Sequence, residues 1–271
     1  MAKLPPGISI EDLQRAYFNQ TNRLTDEVAT FASQSFRQLS NWRDDSVDGY
    51  LRSVLPVVNA GQDQMSKLAR AFYAAVAEFY QQPFSAEAIP AASVSTQALR
   101  GTPAAEVYSR GFLATRFELS KGKALDAAVN IGASRIYNIA RTDMQLSKTN
   151  TGLFVRNNNS NIAGYSRILS GAENCALCYV ASTQRYTRGD LLPIHPGCDC
   201  GEMPIYGNTD PGQVIDVANL EATHEAVASR FGRAARDGRE IDYRQIMIHQ
   251  HGEIGPVLTV RGQHFTGPSD I

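Results

Sequence analysis

Apolar residues in the first part of the chain recur at the spacing of amphipathic helices. Ser9, followed by Glu11 and Asp12, predicts a helix start, because a serine N-cap and acidic residues in the first turn both stabilise that end. The apolar face of this helix consists of Leu13, Tyr17, Leu24, Val28, Phe31 and Leu39. A second helix is predicted from about Ser46 to Tyr80, bent at Pro56 and ending before Pro83.

Two further helices are predicted before residue 150. Residues 85–96 indicate a linker or extended crossover, and Thr102-Pro103 then predicts an N-cap with proline in the first turn. That helix ends near Gly122, and the next covers 123–148. The apolar stripe of this last helix is Ala127, Ile131, Ile136 and Ile139. Six aromatic residues suit either the core, which we favour, or a docking face: Phe31, Phe36, Phe72, Tyr73, Phe79 and Tyr80.

The pattern changes after Asn150. Segments 152–159 and 165–171 predict short strands between turns rich in asparagine and glycine. Residues 211–232 and 241–250 predict helices, and a short β-like run follows in 251–271. We therefore expect an α-rich α+β protein, with a helical docking domain over 1–150. A small α/β domain with a Cys/His site and an extended C-terminal tail would cover 151–271.

Composition places the chain among ordinary globular proteins. It has 271 residues, of which 43% are hydrophobic and 20% charged, and its net charge of -1 favours neither nucleic acid nor membrane as a partner. The start of the chain lacks the apolar run of a signal peptide. The most apolar stretches, 51–58 and 69–80, are shorter than the roughly 20 residues that span a bilayer. We expect a cytoplasm-like compartment in which thiols stay reduced, and no membrane partner.

Charge is distributed unevenly along the chain. Between Arg100 and Arg188 there are twelve lysines and arginines but only five acidic residues. A basic region of this kind is able to contact phosphate through salt-sensitive interactions. The alternative, which we favour, is a solvated surface or charges used in intramolecular pairs.

All four cysteines lie in one short window. Cys175 and Cys178 form C-x2-C. After sixteen intervening residues, His195, Cys198 and Cys200 form H-x2-C-x-C. Two closely spaced half-sites separated by a loop are typical of a structural zinc site. Five residues compete for four ligand positions, because Cys198 and Cys200 would point to opposite sides of an extended segment.

Other chemistry is also compatible with this window. The cysteines would form disulfides if the protein ends outside a reducing cell, as a virion component does. A thioredoxin-like redox pair fits the C-x2-C but leaves the histidine and the second cysteine pair unexplained. Buried free thiols acting as small apolar side chains are the remaining alternative. A metal is the favoured interpretation.

The segments NCALC and RYTRGDLLPIHPGCDCGEMPI resemble the minor head proteins of tailed bacteriophages typified by phage Mu protein F, in the form found in actinobacteriophages. The specific motif covers about thirty residues, and a looser similarity covers most of the chain. The resemblance implies that MPIY, residues 203–206, is a strand. It also implies a virion protein inside the capsid near the portal, made in the host cytoplasm. Its partners would be the portal protein, capsid or scaffolding proteins and packaged double-stranded DNA.

Two alternative functions are open. Genes beside the portal gene in this group are sometimes labelled capsid maturation proteases, but no serine sits in a glycine-flanked elbow beside a histidine, and Ser170 is the nearest match. The candidate bases are His195, His224, His249, His251 and His264. No H-E-x-x-H or phosphate loop is present, so we expect no enzyme. A zinc-stabilised DNA-binding protein is the second alternative, with Arg185 and Arg188 as phosphate contacts.

Overall fold

Long helices form the first part of the protein, and two of them begin and end close to where the apolar pattern predicts. The structure, a computed structural model, describes residues 4–85, 87–169, 178, 181–182, 185–194, 198–207, 246–253 and 255–260, with the backbone alone described for 246–251 and 255–260. Helix α1 (Ile10–Arg37) starts with a capping box: the Asp12 amide donates to Ser9 Oγ and the Ser9 amide to Asp12 Oδ2, both at 3.1 Å. Helix α2 (Asp44–Phe79) runs through the exposed Pro56.

Two short helical elements lie between α2 and the next long helix. A 3₁₀ helix (Ala91–Val94) occupies the second half of the predicted linker, and helix α3 (Thr96–Arg100) begins at its last residue and ends at Gly101, which is in the left-handed region at φ 68°. Helix α4 (Ala104–Ser120) follows, with Pro103 as its N-cap rather than inside its first turn. Helix α3 was not predicted: the buried Thr96 side chain bonds to Gln62 of α2 and to Asp143 of the helix that follows α4, which stabilises a turn too short to show periodicity.

Helix α5 (Leu125–Asn157) is longer than predicted and absorbs most of the segment 152–159, for which the strand prediction was wrong. Val155 and Arg156 are buried there against the sheet and α2, and these tertiary contacts override a local pattern that suits a strand. Asn159 follows the helix and donates to the Val155 carbonyl at 2.8 Å. The proposed domain boundary at residue 150 lies inside α5, and the division into two domains stays a prediction.

Within the described part of the chain, the strands form two antiparallel sheets. Strands β1 (Ile162–Ile168), β2 (Arg185–Thr187) and β3 (Gly201–Tyr206) form a sheet of order β2-β1-β3. Strands β4 (Ile246–His251) and β5 (Gly255–Val260) form a hairpin. The strands predicted over 165–171, 203–206 and the final segment therefore agree with β1, β3 and β5. The α-rich α+β class is confirmed, as a helix-rich protein with a small antiparallel sheet.

One predicted helix is wrong and one lies outside the described residues. Residues 246–250 of the helix predicted over 241–250 belong to β4, where Met247 faces Thr259 in the pairing register. A short apolar run does not distinguish strand from helix, and pairing with β5 decides it. The helix predicted over 211–232 falls outside the described part of the chain.

The helices pack around an aromatic and aliphatic core. Phe36 lies edge-on to Phe112 and Tyr50, with ring centroids 4.9 and 5.7 Å apart. Of the six aromatic residues considered for docking, Phe36, Phe72 and Tyr73 are buried, whereas Phe31 is 40% exposed. The core interpretation is therefore correct for those three residues.

A second core joins the helices to the sheet. Tyr17 of α1 stacks on Phe72 of α2 at 4.3 Å, and both belong to a cluster with Val155, Ile162 and Met203. The sheet thus packs against the ends of α1, α2 and α5, which places the residues before β3 beside the helical body.

Among the described residues, no helix has the combination of length and apolar character that a membrane span requires.

Close packing of α4 on α5 leads to a stability prediction. A Cβ added at Gly132 would overlap Thr115 Oγ1 and lie 2.6 Å from the Gly111 carbonyl oxygen. Gly132→Ala is therefore expected to lower the free energy of unfolding by about 1–3 kcal/mol, as overpacking does. Gly49→Ala is the matched control: Gly49 is exposed within α2 with nothing within 4 Å, so alanine there should stabilise by roughly 0.5–1 kcal/mol. Urea unfolding of both variants measures the contrast. An unchanged free energy of unfolding in Gly132→Ala would show that α4 and α5 separate easily to make room for the methyl group.

Candidate metal centre

Three of the four cysteines meet in a buried cluster beside the sheet. The sulfur atoms of Cys178, Cys198 and Cys200 all lie within 4.8 Å of one another, and those of Cys178 and Cys198 are 3.9 Å apart. A tetrahedral ion with Zn–S bonds of about 2.3 Å separates its sulfur ligands by about 3.8 Å. The cluster therefore has the spacing of a metal site. A disulfide between Cys178 and Cys198 is inconsistent with this distance, since bonded sulfurs are about 2.05 Å apart.

Helix α5 holds the backbone of the second cysteine pair. Gln145 donates from Nε2 to the Cys200 carbonyl at 2.9 Å, and Lys148 donates from Nζ to the Asp199 carbonyl at 2.6 Å. These bonds shape the turn before β3 so that the sulfurs of Cys198 and Cys200 reach the same cluster. The opposite orientation expected for an extended segment is not observed. The apolar wall of the cluster consists of Leu99, Leu146, Leu169 and Ile194.

A buried arginine faces the sulfurs. Arg167 of β1 is 2% exposed, and its Nη1 lies 3.6 Å from Cys178 Sγ and 3.5 Å from Cys198 Sγ. Its Nη2 donates to the Pro193 carbonyl, which fixes the plane of the guanidinium. Burial opposes the charge, but the sulfurs of Cys198 and Cys178 offset it and raise the pKa of Arg167 well above its ordinary value. The cluster therefore carries a permanent positive charge.

The Cys200 thiol resists ionisation without a metal. A hydrogen bond with Cys178 lowers the pKa of Cys200, but the hydrogen bond with Cys198 and burial together raise it to about 12. Burial lowers the pKa of Lys148 from its ordinary value, although the nearby sulfurs act in the opposite direction. Metal binding would have to displace the thiol protons, as it does at thiolate sites generally.

The donor set fits a divalent ion that favours sulfur. Three thiolates and one divalent ion carry one net negative charge, which the single positive charge of Arg167 balances. Buried charge needs such compensation. Cys178, Cys198 and Cys200 would hold the ion, and a bound ion would supply a covalent-like link between two distant segments of the chain. Three buried cysteines that can hold a metal ion are thus present.

Two of the remaining predicted site residues belong to the described part of the chain, and two do not. Cys175 and His195 lie outside the described residues, so the identity of the fourth ligand stays a prediction. Arg185 in β2 is exposed and Arg188 is partly buried, and their role as phosphate contacts is likewise a prediction. Of the twelve basic residues in the central region, Arg100, Lys148, Arg156 and Arg167 are buried and used in internal contacts. For these four the intramolecular alternative is correct.

A second buried polar cluster joins α2, α5 and β3. Arg156 is fully buried and pairs with Glu202, while the Tyr73 hydroxyl donates to Glu202 Oε2 at 2.8 Å. Arg156 also donates to the Asp190 carbonyl at 2.7 Å and lies 3.9 Å from the Tyr165 ring centroid. Burial raises the pKa of Glu202, with Arg156 and Tyr73 acting in the opposite direction. The sequence signal for this cluster is a charged residue beside apolar ones in each of two segments: the arginine of LFVR and the glutamate of GEMPIY.

No protein-family model, curated protein or solved structure matches this chain. The resemblance to phage minor head proteins stays a prediction, and the function has to be argued from the site.

Proposed function

We propose that the chain is a minor capsid protein of a tailed bacteriophage, in which a zinc ion supports the sheet that packs on the helical body. The observation that carries the proposal is the convergence of three motif cysteines on one point in the interior. Their burial favours a structural ion over a catalytic one, because a catalytic zinc keeps a position open to substrate. Zinc is the divalent ion that best combines thiolate ligands with a tetrahedral arrangement.

The small sheet is a reason for a metal to be present. Strand β2 has three residues, and each of them is exposed or only partly buried. A module that buries little apolar area needs a cross-link or a metal to stay folded. A module of this kind supports a role as a building part of the head, inside the capsid near the portal, during head morphogenesis and DNA packaging or ejection.

The maturation protease is the alternative that experiment has to separate. Proteolysis with a serine or cysteine nucleophile requires a base, and the side chains of all five histidines lie outside the described residues. The DNA-binding alternative is weakened, because four central basic residues are committed to internal contacts.

Co-expression with the portal, scaffolding and capsid proteins of the same phage distinguishes the three functions. We expect the full-length chain to co-purify with the portal protein and to remain in purified virions, while the capsid and scaffolding proteins stay uncut. Cleavage that depends on this chain would instead identify a protease. Salt-sensitive retardation of DNA by the isolated chain, lost in an Arg185→Gln and Arg188→Gln double variant, would identify a DNA-binding protein.

A further inference from the structure

The turn of the β4–β5 hairpin places a carboxylate against the helical body. Glu253 Oε1 lies 2.8 Å from Arg100 Nη1 and 2.8 Å from Arg110 Nη1, and Oε2 lies 2.7 Å from the same Arg110 nitrogen. Arg100 ends α3 and Arg110 lies in α4, so one side chain from the hairpin bridges two helices. Glu253 is 17% exposed and Arg100 2% exposed, so the contact lies largely beneath the turn.

Arg100 is held in place independently of the hairpin. Its Nε donates to Asp143 Oδ1 at 2.5 Å, and Asp143 Oδ2 accepts from Thr96 Oγ1 at 2.7 Å and Tyr108 Oη at 3.0 Å. The Nη1 edge of Arg100 therefore points at Glu253 before the hairpin docks. A preorganised donor loses little conformational freedom on binding, which strengthens the interaction with a carboxylate.

Glu253 lies among several positive charges. Arg135 of α5 is near this group, and burial, followed by repulsion from Arg110 and Arg100, lowers its pKa, while Glu253 acts in the opposite direction. Removing Glu253 would leave Arg100 paired with Asp143 but would take away the carboxylate that pairs with Arg110. Partly buried like charges require an anion nearby.

We propose that Arg100 and Arg110 form a carboxylate-binding site, that Glu253 is its ligand, and that this side chain anchors the C-terminal hairpin to the helical body. A carboxylate suits the site because its two oxygens accept hydrogen bonds from both guanidinium groups, at 2.7 to 2.8 Å. This inference is independent of the metal centre and of the viral function.

Amide hydrogen exchange of the intact protein tests the anchor. Glu253→Gln keeps the size of the side chain and removes its charge, and we expect exchange of the 246–260 amides to rise at least about tenfold, since charged hydrogen bonds contribute on the order of a decade in an equilibrium constant. Exchange within α1 and α2 should be unchanged. The control, Glu27→Gln, removes the carboxylate from the exposed pair with Arg23 and should leave the hairpin as it was. Unchanged hairpin exchange, or an equal rise throughout the protein, would overturn the proposal.

Two further measurements separate a built carboxylate site from a general charge effect. In Glu253→Ala, acetate should restore hairpin protection more than chloride at the same ionic strength, because only acetate reproduces the bidentate acceptor. Arg110→Gln leaves the Arg100–Asp143 pair intact and should loosen the hairpin, and combining it with Glu253→Gln should add little, since both changes remove one interaction. Equal effects of acetate and chloride, or fully additive variants, would contradict the assignment.

Discussion

Replacing Cys178 with serine is expected to release bound metal from the protein and to unfold the sheet beside it. Cys178 comes from the first half of the motif, whereas Cys198 and Cys200 come from the second, so its sulfur is the described link across the intervening loop. Isolated zinc-finger peptides gain on the order of 10 kcal/mol from their metal, which sets the upper scale for the loss. The helical body retains its own core and should stay folded. Elemental analysis with a thiol count, and hydrogen exchange of residues 162–206, measure the two effects.

A matched control uses the same stretch of chain. Ala181 is also buried, and Ala181→Ser introduces the same hydroxyl without removing a sulfur, so it should leave the metal content unchanged. Equal metal content in Cys178→Ser and the parent would count against the assignment of Cys178 as a ligand. A parent protein that binds no metal after zinc addition under reducing conditions would show that the cluster is a set of buried thiols.

Removing the positive charge of Arg156 is expected to cost about 3–5 kcal/mol of unfolding free energy, the range for breaking a buried ion pair. Arg156→Met keeps much of the length of the side chain but leaves Glu202 buried without the cation that pairs with it. It also removes the donors to the Arg188 and Asp190 carbonyls, at 3.2 and 2.7 Å, and so loosens the chain after β2. Urea unfolding followed by circular dichroism measures the change.

A double variant tests the mechanism of this loss. Arg156→Met combined with Glu202→Leu removes both charges, so we expect it to be more stable than Arg156→Met alone, because the uncompensated carboxylate is gone. The exposed Arg23→Met, which breaks a surface pair with Glu27, serves as the control and should change stability little. If the losses from the two single variants simply add in the double variant, Arg156 and Glu202 act independently and the pair is not the source of the stability.

Long-range contacts explain why much of the site was not predictable. Arg167 precedes Cys198 by 31 residues, and Lys148 precedes Asp199 by 51, so neither shares a local motif with the cysteines. The sequence around Arg167, YSRIL, is equally compatible with an arginine that faces solvent and with one that faces thiols. Spacing of cysteines is informative because two ligands on one turn have a fixed local geometry, whereas a compensating cation can come from any neighbouring strand.

By itself, the sequence determined the amphipathic helices, the start of α1 at Ser9 and the α-rich class, because periodicity and capping act over a few residues. The spacing of the cysteines likewise indicated that Cys178, Cys198 and Cys200 would cluster. Tertiary structure alone decided that residues 152–157 continue α5 and that 246–250 pair as a strand. It also decided that Arg156 and Glu253 meet their charged partners and that Arg167 meets the cysteine sulfurs. In those places the local preference is weak, and burial against distant residues contributes more free energy than the intrinsic preference for helix or strand.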